Sequence, residues 1–152
     1  MKTSALLSAA LLSLLFSGTA TQMSHGNTGE SCGSRNHFTT GSEETPITVV
    51  VKNNITGDPP SSYPTSVRSG GILLSGLMRL QYTTDFRFTY IQDPNYGPYL
   101  EGVNGLHRSL KDHTYWELLV EKPDHTTIRL GVGIGCYIPA ANDRIILNYN
   151  KY

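Results

Sequence analysis

The sequence lacks any excess of one charge. Its Lys and Arg residues number 12 and its Asp and Glu residues also number 12, so the formal net charge is zero. The Arg residues are scattered singly, whereas nucleic acids and anionic membranes are bound by clustered Lys and Arg. The composition therefore predicts no nucleic-acid partner and no membrane partner. It favours a neutral ligand or a protein surface.

Long apolar runs are also missing, apart from one at the N-terminus. The run "ALLSAALLSLLF" follows Lys2 and precedes small residues, with Gly18 and Ala20 at the minus-three and minus-one positions of a cleavage site. This pattern is typical of a secretory signal peptide and is too short for a membrane span. We expect residues 1–20 to be removed and the mature protein to be secreted into the extracellular space.

Cysteine is scarce, with only Cys32 and Cys136 in the chain. An exported chain meets an oxidising environment, where two cysteines usually form one disulfide, so we predict a Cys32–Cys136 bridge. Closing so long a loop stabilises a fold by roughly 4 kcal/mol in the chain-entropy model. The sequon "NIT" also predicts a glycan on Asn54, provided that its loop is exposed.

The patterns of metal centres and catalytic sites are absent as well. None of the five His residues lies at a zinc-ligand spacing from another His or a Cys. There is no GxSxG nucleophile motif, and the glycine-rich "RLGVGIGCY" does not open a strand-to-helix turn as a dinucleotide fingerprint does. Glycosidases use two carboxylates at a defined separation, and nothing in the sequence fixes the separation of any two of Glu101, Asp112 and Glu117. We therefore predict a protein that is not an enzyme and requires no cofactor.

The chain does contain the pattern of a small α+β domain. Residues 21–45 are rich in Gly, Ser and Thr and predict a flexible arm. "GGILLSGLMRLQ" places apolar residues at helical spacing and predicts one helix at about 69–81, with Ser69 as its N-cap. The remaining segments alternate with a period of two and predict short strands, so we expect a mostly antiparallel sheet packed on one helix.

Aromatic residues cluster in the second half of the chain. Tyr96, Tyr99, Tyr115 and Trp116 lie in segments that also contain Gly and Asn. Tyr115 and Trp116 are consecutive residues of a predicted strand, so their side chains point to opposite faces of the sheet. One of the two rings therefore fills the core, and the other is available to a ligand.

Several segments resemble the C-terminal β-domain of the vitamin B12 carriers transcobalamin, haptocorrin and intrinsic factor. They are "ITVVVKNN", "SVRSGGILLSGLMRLQ", "NYGPYLEGVNGL", "DHTYWELL", "GVGIGCYIP" and "LNYNKY". The resemblance covers roughly residues 46–152 and implies a β-grasp-like α+β domain. It also implies that this domain covers one face of cobalamin, while a larger helical α-domain receives the other face.

The resemblance assigns the ligand-binding residues. They are Asn95, Tyr96, Gly97, Pro98, Tyr99, Leu100, Trp116, Glu117, Leu118, Leu119, Ile128, Arg129 and Leu130. These residue types suit a corrin, a broad apolar disc with amides at its rim, because aromatic and aliphatic surface can lie under the ring while backbone groups bond the amides. None of them is expected to bind the cobalt.

Two features depart from the family pattern. After loss of the signal peptide the chain is too short for the helical α-domain, and the hairpin at 120–127 is longer than the family's usual connection. The first hypothesis is therefore a secreted cobalamin-binding transport module that works either as a weak binder or as one half of a clamp completed by a separate α-domain-like chain. The alternative is a secreted structural or interaction protein that has the β-domain scaffold and binds another secreted protein or a glycan.

Overall fold

The computed structural model describes residues 43–152. Its elements are β1 (Glu44–Asn53), β2 (Ser61–Arg68), α1 (Leu73–Thr83), β3 (Phe88–Asp93), β4 (Gly97–Val103), β5 (Leu106–His107), β6 (Thr114–Glu121), β7 (Thr127–Arg129) and β8 (Arg144–Lys151). The predicted signal peptide lies outside the described residues, as does the predicted arm up to residue 42. The first strand begins at Glu44, one residue before the predicted end of that arm.

Two sheets form the domain. The larger sheet has five strands in the order β2-β1-β8-β6-β7, and the smaller has three in the order β3-β4-β5. Strands β1 and β8 run parallel, and the other named pairs are antiparallel. Within residues 43–152 the structure therefore has mostly antiparallel sheet and one helix, so the predicted α+β class is confirmed.

The core lies between the helix and the inner face of the larger sheet. Leu73, Leu77 and Leu80 point from the helix towards Val49 and Leu147, and all five are at most 1% exposed. Phe86 and Phe88 extend this core towards the smaller sheet, with ring centroids 6.0 Å apart. In the helix and in these central strands, the apolar positions that the sequence periodicity indicated are thus the buried ones.

The helix begins later than predicted, and the prediction of Ser69 as its N-cap is wrong. The N-cap is Ile72, which makes no side-chain capping bond. The first helical N–H groups instead donate to main-chain oxygens: Leu73 to Tyr137 (2.8 Å) and Leu74 to Ile134 (2.9 Å). Because a distant segment satisfies these donors, the helix needs no capping side chain. Ser69 continues the strand pairing by donating to the Glu43 carbonyl.

A buried carboxylate fastens the end of β6 to the start of β8. Asp143 is 0% exposed and accepts bonds from Lys122 Nζ (2.9 and 3.0 Å), Tyr137 Oη (2.6 Å) and the Ala140 N–H (2.9 Å). Burying a charge is costly unless it is paired and hydrogen-bonded. These donors meet that requirement, so the cluster holds the β6–β7 hairpin against the turn that precedes β8.

This environment moves two pKa values. Burial alone would raise the pKa of Asp143, but the bonds from Tyr137 and Lys122 outweigh it and hold the pKa below 3.8. Burial alone would lower the pKa of Lys122, but its bonds to Asp143 and Tyr137 hold the pKa above 10.5. Both groups are therefore charged across the neutral range.

We predict that Asp143→Asn lowers the free energy of unfolding by about 3 kcal/mol at neutral pH, because it leaves the Lys122 ammonium without its anionic partner. In the native protein the carboxylate contribution is present above pH 3.8 and is lost as the pH falls through the lower folded-state value. The Lys122 contribution is present below pH 10.5 and is lost as the pH rises through the higher folded-state value. Urea unfolding of the native protein at several pH values measures both the acidic and the alkaline loss of stability.

The matched control is Glu44→Gln, which removes an ion pair with Arg79 whose side chains are 43% and 42% exposed. Exposed pairs contribute little to stability. Glu44→Gln should therefore leave the urea midpoint almost unchanged at pH 7. An equal loss in both variants would contradict the role assigned to Asp143.

Candidate functional site

A cleft of about 760 Å³ opens between the two sheets. Its walls come from three directions: the β3–β4 hairpin, the exposed side of β6 and the segment that follows β7. The lining residues are 92–97, 99–100, 115–118 and 129–134, together with Cys136. Clefts of this size are in the range that small-molecule ligands occupy, about 300–1,000 Å³.

Glycines in the segment that follows β7 allow one wall to approach β4. A Cβ added to Gly133 would lie 2.5 Å from the Pro98 carbonyl oxygen, and one added to Gly135 would lie 2.3 Å from Pro98 Cγ. Real Cβ atoms do not approach other heavy atoms so closely. The segment can therefore contact Pro98 only because these positions have no side chain.

The β3–β4 turn holds Tyr96 at the mouth of the cleft. The Asp93 carboxylate accepts the N–H groups of Asn95 (2.8 Å) and Tyr96 (3.0 Å), which fixes the turn. Gly97 follows with a φ of 70° in the left-handed region, a conformation that glycine adopts without strain. Tyr96 is 73% exposed, so its ring projects into the solvent beside the cleft.

Trp116 is a core residue. Of the two consecutive rings, Tyr115 and Trp116, it is therefore the indole that fills the core. It is 7% exposed, its ring centroid lies 5.0 Å from that of Tyr149, and its Nε1 donates to the Leu106 carbonyl (3.0 Å). The Tyr115 ring is the half-buried one on the opposite face. The indole ring is thus an inner boundary of the cleft and cannot serve as an open platform.

The main chain at Trp116 forms an open strand edge in the cleft. Thr114 bonds away from β8 to Ser109 (2.9 and 3.2 Å), and the Leu118 carbonyl accepts from the Leu130 N–H (3.0 Å). Backbone groups alternate in direction along an antiparallel strand. The N–H and C=O of Trp116 therefore point into the gap between these two bonds, where no backbone partner from residues 43–152 is found.

Charged groups in and near the cleft have partners among residues 43–152. Arg129 lies 3.5 Å from a Glu117 carboxylate oxygen through Nε and donates to the Tyr115 hydroxyl through Nη2 (3.1 Å). The Arg108 guanidinium lies 5.1 Å from the centroid of the Tyr99 ring. The lining therefore offers aromatic surface and backbone groups to a ligand without a strong field of either sign.

The structure brings most of the predicted site together. The cleft includes every predicted ligand residue except Pro98, Leu119 and Ile128. Pro98 packs behind the wall against Gly135, Leu119 lies further along β6 between Arg129 and Ile146, and Ile128 pairs with Val120 in the hairpin. Contact of these residues with a corrinoid stays a prediction.

Sequence reasoning missed a whole wall of the cleft. It is lined by Gly131, Val132, Gly133, Ile134 and Cys136, which belong to a segment that resembles the family but was not assigned to the ligand. The concentration of glycine at positions 131, 133 and 135 was the available signal, because glycine often marks a site where another part of the backbone approaches closely. Gln92, Asp93, Pro94 and Tyr115 are further lining residues that were not predicted.

The hairpin at 120–127 does not close the cleft. Strands β6 and β7 pair from Leu119–Arg129 to Glu121–Thr127, and the turn beyond them does not appear among the cleft-lining residues. Lys122 holds the base of this turn to Asp143. As far as residues 43–152 are concerned, the cleft is therefore open to a ligand from its exposed side.

Three further features bear on the sequence predictions. Asn54 is exposed in the β1–β2 turn, where a glycan has room, and its glycosylation stays a prediction. Within residues 43–152, no group of three His, Cys, Asp or Glu side chains could hold a metal ion. The helix in this part of the chain is neither long nor apolar enough to cross a membrane.

Two curated proteins are similar to this chain. Human transcobalamin-1 is 30% identical over 89 residues, which are 57% of this chain and 19% of the relative. Rat cobalamin binding intrinsic factor is 32% identical over 88 residues, which are 57% of this chain and 20% of the relative. The chain thus spans about a fifth of the length of these relatives. No family model matches it.

A solved structure agrees with these sequence matches. Haptocorrin in complex with Cbi superposes with a TM-score of 0.62 and 26% identity, covering 72% of this chain and 26% of haptocorrin. The resemblance to the C-terminal domain of the cobalamin carriers, predicted from the sequence segments, is confirmed.

We predict that Gly133→Ala displaces the cleft wall from β4 and lowers the free energy of unfolding by about 1–3 kcal/mol, the usual cost of overpacking. The control is Gly131→Ala, because a Cβ there meets no atom within 4 Å. Urea unfolding followed by the fluorescence of Trp116, the only tryptophan, measures the difference. Equal stabilities of the two variants would show that the close approach to Pro98 does not matter.

The disulfide concerns the same wall, since Cys136 lines the cleft while Cys32 lies outside the described residues. The bridge stays a prediction. Mass spectrometry of a protease digest without reductant should recover one linked peptide pair containing Cys32 and Cys136. Peptides linked between two copies of the chain, or peptides alkylated at both cysteines before reduction, would refute it.

Proposed function

We propose that this domain, which is similar to the C-terminal domain of the cobalamin carriers, binds one face of a cobalamin-type corrinoid as a secreted, non-enzymatic transport module. The observation that supports this most directly is the cleft itself. Residues assigned to the ligand by resemblance, from separate strands, line one open surface between the two sheets. The proposal requires no catalytic group and no metal-binding side chain.

The lining suits the chemistry of a corrin. Tyr96, Leu118 and Leu130 offer aromatic and aliphatic surface to a broad apolar ring. Arg129 and Glu117 neutralise each other, and the Asp93 carboxylate, which also lines the cleft, accepts the N–H groups of two residues in its own turn, so each charge that a bound ring would desolvate has a partner. The bound ring would lie against the side of the cleft on which Tyr96 projects.

The open edge of β6 suits the amides at the rim of a corrin. A primary amide carries one acceptor oxygen and two donor hydrogens. The N–H and C=O of Trp116 offer the complementary pair at a fixed position on a rigid strand. A bond to backbone groups also explains how Trp116 contributes to binding while its ring is in the core.

The cleft leaves the opposite face of a bound ring uncovered. A ligand held on one side keeps only part of the available contact, and each 1.4 kcal/mol of lost contact weakens affinity about tenfold. We therefore propose that a helical domain, supplied by another chain, completes the clamp. Its contribution would be to cover the exposed face rather than to rearrange this domain.

We predict that the full chain binds cyanocobalamin and cobinamide in isothermal titration, with a matching change in corrin absorbance. Tyr96→Ala should weaken binding about tenfold or more, because the exposed ring loses its contact with the ligand. The control is Tyr82→Ala, since Tyr82 is 84% exposed and does not line this cleft. Both variants remove an exposed tyrosine, so a difference between them reports on the cleft.

Absence of heat and of an absorbance change at millimolar ligand, with and without an added helical domain from a cobalamin carrier, would refute the proposal. That result would favour the alternative of a secreted interaction protein that has the scaffold alone. The alternative predicts a stoichiometric partner in secreted fluid whose capture is unaffected by cyanocobalamin and by Tyr96→Ala.

A further inference from the structure

A second cavity, of about 430 Å³, lies between the end of the helix and the three-stranded sheet. Gln81 and Tyr82 line it from the helix, Arg87 from the following turn, and Thr89, Gly102 and His107 from the sheet. The two cavities share no lining residue. The cleft that we assign to a corrinoid therefore does not account for this one.

Gly102 makes room for the His107 ring at the base of this cavity. Thr89, Gly102 and His107 lie side by side across the three strands. A Cβ on Gly102 would lie 2.4 Å from His107 Nδ1 and 2.8 Å from Thr89 Oγ1. The missing side chain thus lets the imidazole lie against the sheet next to a hydroxyl, so that two polar groups meet in the depression.

Arg87 presents a free bidentate edge. Its Nη1 lies within bonding distance of the carbonyl oxygens of Gln81 (3.1 Å), Thr84 (2.8 Å) and Phe86 (2.7 Å), which holds the guanidinium in place at the helix end. The other edge of the plane consists of Nε and Nη2, and neither has a hydrogen-bond partner among residues 43–152. That edge matches the geometry of a carboxylate.

The remaining lining adds donors and apolar surface without an opposing charge. Gln81 Oε1 accepts the Phe88 N–H (3.0 Å), which directs its amide nitrogen elsewhere. Phe88 is 7% exposed and Tyr82 is 84% exposed, so one ring belongs to the base and the other projects at the rim. No Asp or Glu of residues 43–152 lines the cavity. A ligand here would meet one cation, several donors and two aromatic rings.

We propose that this cavity binds the carboxylate of a small aromatic acid. The carboxylate pairs with the Nε–Nη2 edge of Arg87, and the ring of the ligand lies between Tyr82 and the His107 imidazole, which covers Gly102. The Thr89 hydroxyl provides an additional hydrogen bond to the carboxylate. This site is independent of corrinoid binding, because its residues are separate from those of the first cleft.

The test is titration of the ¹⁵N-labelled full chain with sodium benzoate, followed by two-dimensional NMR. We expect saturable shifts of the Gly102, Asn104 and Gly105 amides and of Arg87 Nε–H. Benzamide, which has the same shape without the charge, should bind at least about tenfold more weakly. Inorganic phosphate should also bind more weakly, because it has no ring to contact Tyr82.

Two variants separate binding from folding. Arg87→Lys keeps the charge and a donor for the carbonyl oxygens but loses the bidentate edge, so benzoate affinity should fall about tenfold while the spectrum of the fold is retained. Tyr82→Ala changes a side chain that is 84% exposed and should also weaken benzoate binding. Tyr96→Ala should have no effect on it.

Shifts that do not saturate, shifts that map to the first cleft, or equal binding of benzoate, benzamide and phosphate would overturn the proposal. Unchanged benzoate affinity in a folded Arg87→Lys variant would also overturn it. None of these outcomes depends on whether the chain binds a corrinoid, so the two proposals fail separately.

Discussion

The hydrogen bonds between segment 130–137 and the first turn of the helix are the contact on which the rest of the domain depends. The Ile134 and Tyr137 carbonyls satisfy the helix donors that no side chain caps. The same segment presses its glycines against Pro98 and, through Tyr137, bonds the buried Asp143. Helix, smaller sheet and hairpin therefore meet at one irregular stretch of chain, which is also a wall of the cleft.

At Trp116 the main chain faces the cleft and the side chain is buried, the opposite of what a tryptophan in a binding segment suggests. A tryptophan in a binding segment suggests a flat platform for a ring, yet its indole is packed on Tyr149 and bonded to the Leu106 carbonyl. Burial of the ring fixes the strand, and the strand in turn holds an unpaired N–H and C=O at a constant position. The side chain thus acts on the cleft through the backbone.

Periodicity predicted the elements of the fold because it reports local burial. Alternation in "TYWELLVE" places Trp116 and Val120 inside, and both are buried. Long-range contacts leave no local signal in the sequence. The start of the helix at Leu73 could therefore not be predicted, because its first N–H groups bond the distant carbonyls of Ile134 and Tyr137. The resemblance identified the strands that line the cleft. The glycine wall could be recognised only from the structure, because it depends on the packing of Gly133 against the distant Pro98.

Residues that build the cleft and residues that test its function are therefore different sets. Trp116, Pro98 and Gly133 would be needed for folding whether or not a ligand binds, so their presence does not distinguish a carrier from a scaffold. Tyr96 is different, because it is 73% exposed and its ring makes no aromatic contact or hydrogen bond within residues 43–152. An exposed tyrosine gains nothing from the fold at this position. Its contribution to binding can therefore be measured without the stability changes that accompany substitutions in the wall.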